Sequence, residues 1–184
     1  MAAIGSLAQS PGQMAEDALE FETLVREHQA MVFSLAYHFL RNPEIAEELA
    51  QEVFLELYRH LDQVRTREHV VYWLRKVTSR RCIDQARRRK VRSQVSLDEA
   101  PEPFVWMPAE DPALKRYIEQ LLTKLAETPR MIVILRYQEG LEPMEIAELL
   151  DMPVATVKSH LQRSLALLRR KVVDATGEGG NHGL

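Results

Sequence analysis

The chain has 184 residues, of which 46% are hydrophobic and 28% are charged, and its net charge is −3 at pH 7. This composition predicts one medium domain or two small ones and argues against a protein that coats DNA indiscriminately. No apolar run approaches membrane-spanning length, and the N-terminus lacks a basic region followed by an apolar core, so we expect no membrane insertion and no secretion signal. The single cysteine, Cys82, cannot form an internal disulfide, which agrees with a cytoplasmic location.

The first segment, 1–17, is small, polar and aperiodic, which predicts a disordered tail. From Glu20 to Phe39 apolar residues recur at helical spacing, so a first helix is expected to end near Arg41. His28 falls on the apolar face of this helix. No second histidine or cysteine lies at metal-ligand spacing, so we interpret His28 as a core or boundary residue and expect no metal site.

A second helix is predicted from 43 onward, with Asn42 as its cap and Pro43 at its first position. Its inner stripe is apolar, and its outer side carries a row of acidic residues. An acidic helix face is usually only solvated. Here it becomes a candidate binding surface because a strongly basic segment follows almost at once.

The segment 61–68 has no clear periodicity and is predicted to be a loop, after which a third helix opens on apolar residues from Val70. Trp73 is typical of a core residue, whereas Tyr72 lies off the stripe and is the better candidate for stacking on a base. Further along, cations replace the apolar stripe, and Asp84 is the only acidic residue among them. We therefore expect the end of the helix to lie along a polyanion. The cations of this basic run are Arg75, Lys76, Arg80, Arg81, Arg87, Arg88, Arg89, Lys90 and Arg92.

The segment 93–110 contains Pro101, Pro103 and Pro108 together with four acidic residues and shows no periodicity, which predicts a flexible acidic linker. A cap followed by a proline at 111–112 then predicts the start of a second domain.

The second domain is predicted to contain a further helix start at Thr128, where the cap-and-proline device recurs, and a helix stop at Gly140. It is expected to end near Val173. The remaining segment, 174–184, is too rich in glycine to order alone and is predicted to be a disordered tail.

Two helices with almost nothing between them are predicted over 143–163. Asp151 tolerates the left-handed backbone that such a corner needs, and Pro153 suits the first turn of the helix that follows. Apolar residues from Val157 to Val172 mark the buried stripe of that helix. Its other side is small, polar and cationic, and no acidic residue occurs over 154–173. This pattern favours a helix-turn-helix whose second helix enters a DNA major groove.

The alternative interpretation of the same segment is an ordinary helical hairpin with a solvated basic face. Solvated faces usually mix both signs of charge to gain pairs between neighbouring turns, so the absence of acidic residues favours DNA binding. No strand signal occurs, and the sequence predicts an all-α fold with two small helical domains, 18–92 and 111–173, joined by the linker.

The order of these parts resembles a bacterial RNA polymerase sigma factor of the extracytoplasmic-function (ECF) group in the sigma-70 family. Three stretches carry the resemblance. The stretch 42–54 is similar to the polymerase-binding helix of the family, 73–89 to its promoter-melting and minus-ten helix, and 156–163 to its minus-thirty-five recognition helix. The family pattern often has asparagine, glycine and arginine at the positions of Arg80, Asp151 and His160. These differences concern the promoter sequence rather than the role.

The resemblance implies a region 2-like and a region 4-like domain and a factor that binds core RNA polymerase, directs it to promoters and helps to open the DNA. It also implies an anti-sigma partner. The implied polymerase-binding residues are Glu47, Glu48, Gln51, Glu52 and Phe54. The implied residues for minus-ten recognition and the melted non-template strand are Arg65, Arg67, Tyr72, Arg80, Arg81, Asp84, Arg87, Arg88 and Arg89. The implied residues for duplex DNA at the minus-thirty-five element are Thr156, Lys158, Ser159, His160, Gln162, Arg163, Arg169 and Arg170.

Two rival classes remain beside this interpretation. A stand-alone helix-turn-helix regulator would form a dimer on a palindromic site without polymerase. An enzyme is the more distant rival, because the sequence has no glycine-rich phosphate loop, no ligand-spaced cysteine and histidine set, and no nucleophile with a plausible base. We therefore expect no catalytic residues and no cofactor.

Overall fold

The computed structural model describes residues 11–61, 64, 66–93 and 112–176, and side chains over 20–61, 64, 66–90 and 117–173. In these ranges the chain forms seven α-helices and no strand, which confirms the all-α prediction. The helices are α1 (Pro11–Leu40), α2 (Pro43–Arg59), α3 (Arg67–Ser93), α4 (Pro112–Thr123), α5 (Glu127–Tyr137), α6 (Pro143–Leu149) and α7 (Val154–Thr176). The predicted linker lies outside the described residues apart from Ser93.

The first helix starts earlier than expected, at Pro11, so the prediction of a disordered tail is wrong for residues 11–17. Proline suits a first helical turn, and the alanine, methionine and glutamate residues after it are good helix formers even without an apolar stripe. At the other end of the chain, α7 continues through 174–176, which were predicted to belong to the C-terminal tail.

Helices α1, α2 and α3 pack as a bundle around large apolar side chains. Leu35 and Phe39 of α1, Leu57 of α2 and Leu74 of α3 are all fully buried. Burying each side chain of this size contributes about 1.5–3 kcal/mol, so these contacts stabilise the packing of the three helices. Cys82 of α3 is part of the same core.

Local capping sets the starts of α2 and α3. The side chain of Asn42 accepts a hydrogen bond from the N–H of Ile45 at 2.9 Å, as the sequence predicted. The start of α3 was predicted too late: Thr66 Oγ1 accepts from the N–H of His69 at 3.2 Å, and Arg67 is the first residue of the helix. Arg67 is therefore helical and not a loop residue.

Helices α4 to α7 form the second bundle, in which one predicted cap is wrong. Helix α5 is preceded by Ala126 and begins at Glu127, so Thr128 lies in the first turn instead of capping it. Pro129 is tolerated there because the first N–H groups of a helix have no partner within the helix. Gly140 has a φ of 69° and lies after the end of α5, where a left-handed residue turns the chain toward α6.

The helix-turn-helix forms as predicted. Asp151, in the turn between α6 and α7, has a φ of 52°, which confirms the left-handed corner. Ala147 is 7% exposed and its carbonyl accepts from the N–H of Met152 at 2.9 Å, so the turn folds closely onto α6. Val157 and Leu161 of α7 face the core. Ser164, which the apolar pattern did not predict to be buried, is only 3% exposed on the same helix.

The two bundles pack against each other, which the sequence did not predict. Helix α5 lies against α1 and α3, and buried residues of both bundles form one continuous core. Arg41 Nη2, just after α1, lies 2.6 Å from Glu119 Oε2 on α4. Arg75 Nε on α3 lies 3.0 Å from Glu139 Oε2, just after α5. Complementary charges therefore line the contact between the domains.

Candidate nucleic-acid interface

Helix α7 presents the predicted DNA-reading face on the surface of the protein. Lys158, Gln162 and Arg163 are exposed, and Arg169 and Arg170 are exposed about two turns further along. The remaining predicted members are half-buried at the edge of this face: Thr156, Ser159 and His160. The structure thus brings all eight predicted residues to one helix, with Val157 and Leu161 anchoring its opposite side.

The outer part of α3 carries exposed cations. Arg88 and Arg89 are exposed and make no ion pair among the described residues, whereas Arg87 Nη1 lies 3.9 Å from Asp84 Oδ1 one turn earlier. The side chain of Arg67, at the start of the helix, is 76% exposed, and its Nη2 lies 3.7 Å from Glu27 Oε1. Arg65, which was also predicted for minus-ten recognition, lies outside the described residues.

The middle of α3 faces the helix-turn-helix. Lys76 Nζ donates to Asp151 Oδ1 at 3.0 Å, and the guanidinium of Arg80 donates to Oδ2 of the same carboxylate. Hydrogen bonds from Lys76 and then from Arg80 hold the pKa of Asp151 below its ordinary value. Tyr72 donates to the carbonyl of Glu148 at 3.3 Å, so two predicted nucleic-acid residues, Tyr72 and Arg80, contact the other domain.

Arg81 connects the predicted nucleic-acid surface on α3 with the predicted polymerase-binding surface on α2. Its Nε lies 3.0 Å from Glu56 Oε2 on α2, and its guanidinium also pairs with Glu52, a predicted polymerase-binding residue. Arg81 therefore fixes α3 against α2 in this structure. Asp84, Gln85 and Arg88 line the cleft that continues from this pair.

The acidic side of α2 is open to solvent. Glu47, Glu48 and Gln51 are exposed, and Glu52 remains mostly exposed beside Arg81. The other predicted residue of this surface, Phe54, is only 7% exposed. It lies instead in the wall of an apolar groove between α1 and α2 that continues from Glu47 and Gln51.

Comparisons with known proteins agree with this arrangement of helices. Residues 24–92 match the family Sigma-70 region 2, and residues 115–168 match Sigma-70, region 4. The RNA polymerase sigma factor SigV of Bacillus subtilis is 31% identical over 80% of this chain and 87% of its own length. The RNA polymerase sigma-E factor of Streptomyces avermitilis is 30% identical over 85% of this chain and 87% of its own length. The chain belongs to the ECF sigma factors of the sigma-70 family.

The fold of this sigma factor also has a solved counterpart. The sigma factor RpoE of Bartonella quintana, in a complex with the anti-sigma factor NepR, matches with a TM-score of 0.67 over 82% of this chain and 95% of its own. The two sequences are 20% identical, so the likeness concerns the fold. The family matches and the relatives above, rather than this fold likeness, make the chain a transcription initiation factor that acts with core RNA polymerase on promoter DNA, and they do not favour a stand-alone helix-turn-helix regulator.

The described part of the sigma factor holds neither a metal-binding cluster nor a membrane span. No group of three or more histidine, cysteine, aspartate or glutamate side chains in that part is placed to hold a metal ion. None of its helices combines the length and the apolar character needed to cross a membrane. His28 is half-buried on the inner side of α1, at the boundary of the core.

Sequence reasoning missed two residues of the sigma factor that contact the other domain from α3. Arg75 and Lys76 belong to the basic run, but their partners Glu139 and Asp151 lie 64 and 75 residues further along the chain. Charge alone marked α3 as a surface for a polyanion. No sequence signal indicated that carboxylates of the same chain cover part of that surface.

Proposed function

We propose that this sigma factor divides its contacts by charge, with the acidic side of α2 for polymerase and the cationic faces of α3 and α7 for DNA. The exposure of Glu47, Glu48 and Gln51 supports α2 as the docking surface for a basic partner. Complementary charge at such a surface sets the orientation and rate of association more than the affinity. Glu52 contributes less directly, because it already pairs with Arg81.

We assign the minus-thirty-five contacts to the exposed face of α7. Lys158, Gln162 and Arg163 lie toward the start of the helix, where a recognition helix reaches base edges. Arginine and glutamine bind guanine and adenine edges through paired hydrogen bonds, which provides sequence discrimination. Arg169 and Arg170 lie about two turns later and are assigned to phosphate, which positions the helix without reading sequence.

The outer end of α3 is the proposed surface for the melted non-template strand. Arg88 and Arg89 are exposed and have no acidic partner among the described residues, so a phosphate would supply their counter-charge. Arg87 adds to the same surface beside Asp84. Removing a base from the stack costs a few kcal/mol, which these phosphate contacts help to offset.

The remaining assignments follow from this role. We infer that the protein acts in the bacterial cytoplasm, where its polymerase and DNA partners are, and that it catalyses no reaction and needs no cofactor. The Bartonella quintana sigma factor is seen with an anti-sigma factor. We propose that this chain has such a partner as well.

The observation that carries the proposal is the opposite charge of two exposed faces, one on α2 and one on α7, in a chain of 184 residues. Run-off transcription with purified bacterial core polymerase and a promoter library tests it. We expect transcripts from a subset of promoters only when the sigma factor is present. A protein that fails to associate with core polymerase and binds symmetric operators by itself would contradict the assignment.

A further inference from the structure

The inner part of α3 carries three side chains in line, Tyr72, Lys76 and Arg80, spaced one helical turn apart. Residues at this spacing lie on one helix face. Lys76 Nζ is 5.6 Å from the centre of the Tyr72 ring, so the ring and both cations form one continuous surface. An aromatic ring beside cations is the combination that binds single-stranded nucleic acid, because bases stack on the ring and phosphates bind the cations.

In this structure the turn of the helix-turn-helix covers that surface. The Asp151 carboxylate uses one oxygen for Lys76, at 3.0 Å, and the other for Arg80. The carbonyl of Glu148 accepts from Tyr72 at 3.3 Å. A carboxylate bridging two cations provides the charge and the hydrogen-bond acceptors that a backbone phosphate would provide. Both cations and the Tyr72 hydroxyl are therefore already bound to groups of the same chain.

We propose that Lys76 and Arg80 form a phosphate-binding site for single-stranded DNA, and that Asp151 fills this site while the two domains are packed together. The inference rests on the proposed role of α3 in holding the melted strand and adds Lys76 to the residues that bind it. Arg80 and Asp151 stand where the family pattern often has asparagine and glycine. That asparagine and glycine could not form this ion pair.

The exposure of the pair makes such an exchange feasible. The side chains of Arg80 and Asp151 are 57% and 54% exposed, so water and ions reach both groups. Exposed ion pairs are weak and are screened by salt, which allows a DNA phosphate to compete with the carboxylate. The reading face of α7 stays exposed in the same arrangement. The Asp151 contact therefore blocks single-stranded DNA at the inner part of α3 and leaves the outer end of α3 and the reading face of α7 open.

The first test compares D151N with E148Q in the full-length protein. Asparagine keeps the size of Asp151 and tolerates the left-handed backbone, so D151N removes the charge without straining the turn. E148Q removes one negative charge three residues away, from a side chain with no ion pair among the described residues. The probe is a fluorescein-labelled single strand of mixed sequence, titrated at several KCl concentrations, with its duplex form as a second probe.

We expect D151N to bind the single strand more tightly than the wild type and E148Q to bind like the wild type. Each additional phosphate that the protein neutralises steepens the slope of log K against log salt by about 0.7, which is roughly fivefold in affinity at about 0.1 M salt. The duplex affinity of D151N should change less than its single-strand affinity. Single-strand affinity and salt slope equal to those of the wild type would overturn the proposal.

Two further measurements distinguish the proposed site from an indirect effect of D151N on single-strand affinity. In the variant D151N/K76Q/R80Q the increase in affinity should disappear, and an increase that persists would place the phosphate elsewhere and refute the site. The second measurement places spin labels at E22C and M144C in the otherwise unchanged chain. Both positions are exposed and lie on different domains, so the distance between the labels reports the domain arrangement. Saturating single strand should lengthen or broaden their distance distribution, and an unchanged distribution would contradict the exchange.

The outcome also separates this inference from the proposed function. If the wild type supports run-off transcription but D151N binds single strands like the wild type, only the phosphate site and its occupation by Asp151 are rejected. A protein that neither supports transcription nor binds single strands would reject both.

Discussion

The guanidinium of Arg130 on α5 lies 5.2 Å from the centre of the Phe39 ring on α1 and donates to the Phe39 carbonyl at 3.3 Å. The same side chain donates to the carbonyl of Leu125 at 3.0 Å. One arginine side chain thus binds a backbone carbonyl at the end of α1 and another in the connection between α4 and α5. Because the group is largely buried, burial lowers its pKa from the ordinary value, although an arginine remains charged.

Replacing Arg130 by methionine should therefore weaken the contact between the domains. The change leaves buried carbonyls without a donor, and each such loss costs about 1–3 kcal/mol. We expect the free energy of unfolding, measured by urea denaturation, to fall by about this amount.

The control for that substitution is Lys124→Met. Lys124 is an exposed residue directly after α4, which ends at Thr123. Because it also replaces a cation by methionine, but at the surface, it should change the free energy of unfolding by less than about 0.5 kcal/mol. Equal effects of both variants would show that Arg130 has no special role.

Arg163→Ala should reduce promoter discrimination. If Arg163 reads a base edge, its loss costs about 1–3 kcal/mol on the preferred sequence and much less on mismatched sequences. Arg170→Ala, further along the same exposed face, should instead weaken binding to all sequences alike and lower the salt dependence. Binding of polymerase holoenzyme to matched and mismatched promoter fragments measures both. An equal loss on every sequence for Arg163→Ala would reassign Arg163 to phosphate.

Charge reversal on the acidic side of α2 should weaken polymerase binding. Glu48→Lys changes an exposed residue with no ion pair among the described side chains, so the fold should tolerate it. We expect a higher Kd for core polymerase and a slower association rate, because complementary charge steers the encounter. Titration of labelled core enzyme gives both values.

The matched control for that reversal is Glu22→Lys, an exposed acidic residue on α1. It makes the same change in net charge away from the proposed surface. Glu52→Lys should have a second effect, loss of stability, since it places a cation beside Arg81. Wild-type polymerase affinity of Glu48→Lys would remove this side of α2 from the docking surface.

Cys82 should resist thiol reagents in the native protein. Burial raises the pKa of its thiol far above the ordinary value of 9.0, so the reactive thiolate is scarce, and the fully buried sulfur is also inaccessible. We expect reaction with an aromatic disulfide reagent at about pH 8 to be slow in buffer and fast in denaturing urea. A fast reaction under native conditions would show that α3 opens readily from the core.

The sequence determined the features that depend on neighbouring residues. The cap at Asn42, the left-handed turn at Asp151 and the cationic side of α7 all follow from groups a few residues apart, whose geometry is set by the local backbone. The cap at Thr128 was predicted wrongly because the same cap-and-proline pattern also fits a first turn. Helical periodicity likewise indicated two bundles of amphipathic helices.

Only the tertiary structure decided how those bundles meet. Asp151 pairs with Lys76 and Arg80, which lie 75 and 71 residues away in the sequence. Arg81 pairs with Glu56, which lies 25 residues before it. Many acidic residues along the chain could have paired with these cations, and composition does not choose among them. Packing of α3 against α2 decides the pairing of Arg81, and packing of α3 against α5 and α6 decides the pairing of Asp151, because these contacts place particular carboxylates within hydrogen-bonding distance.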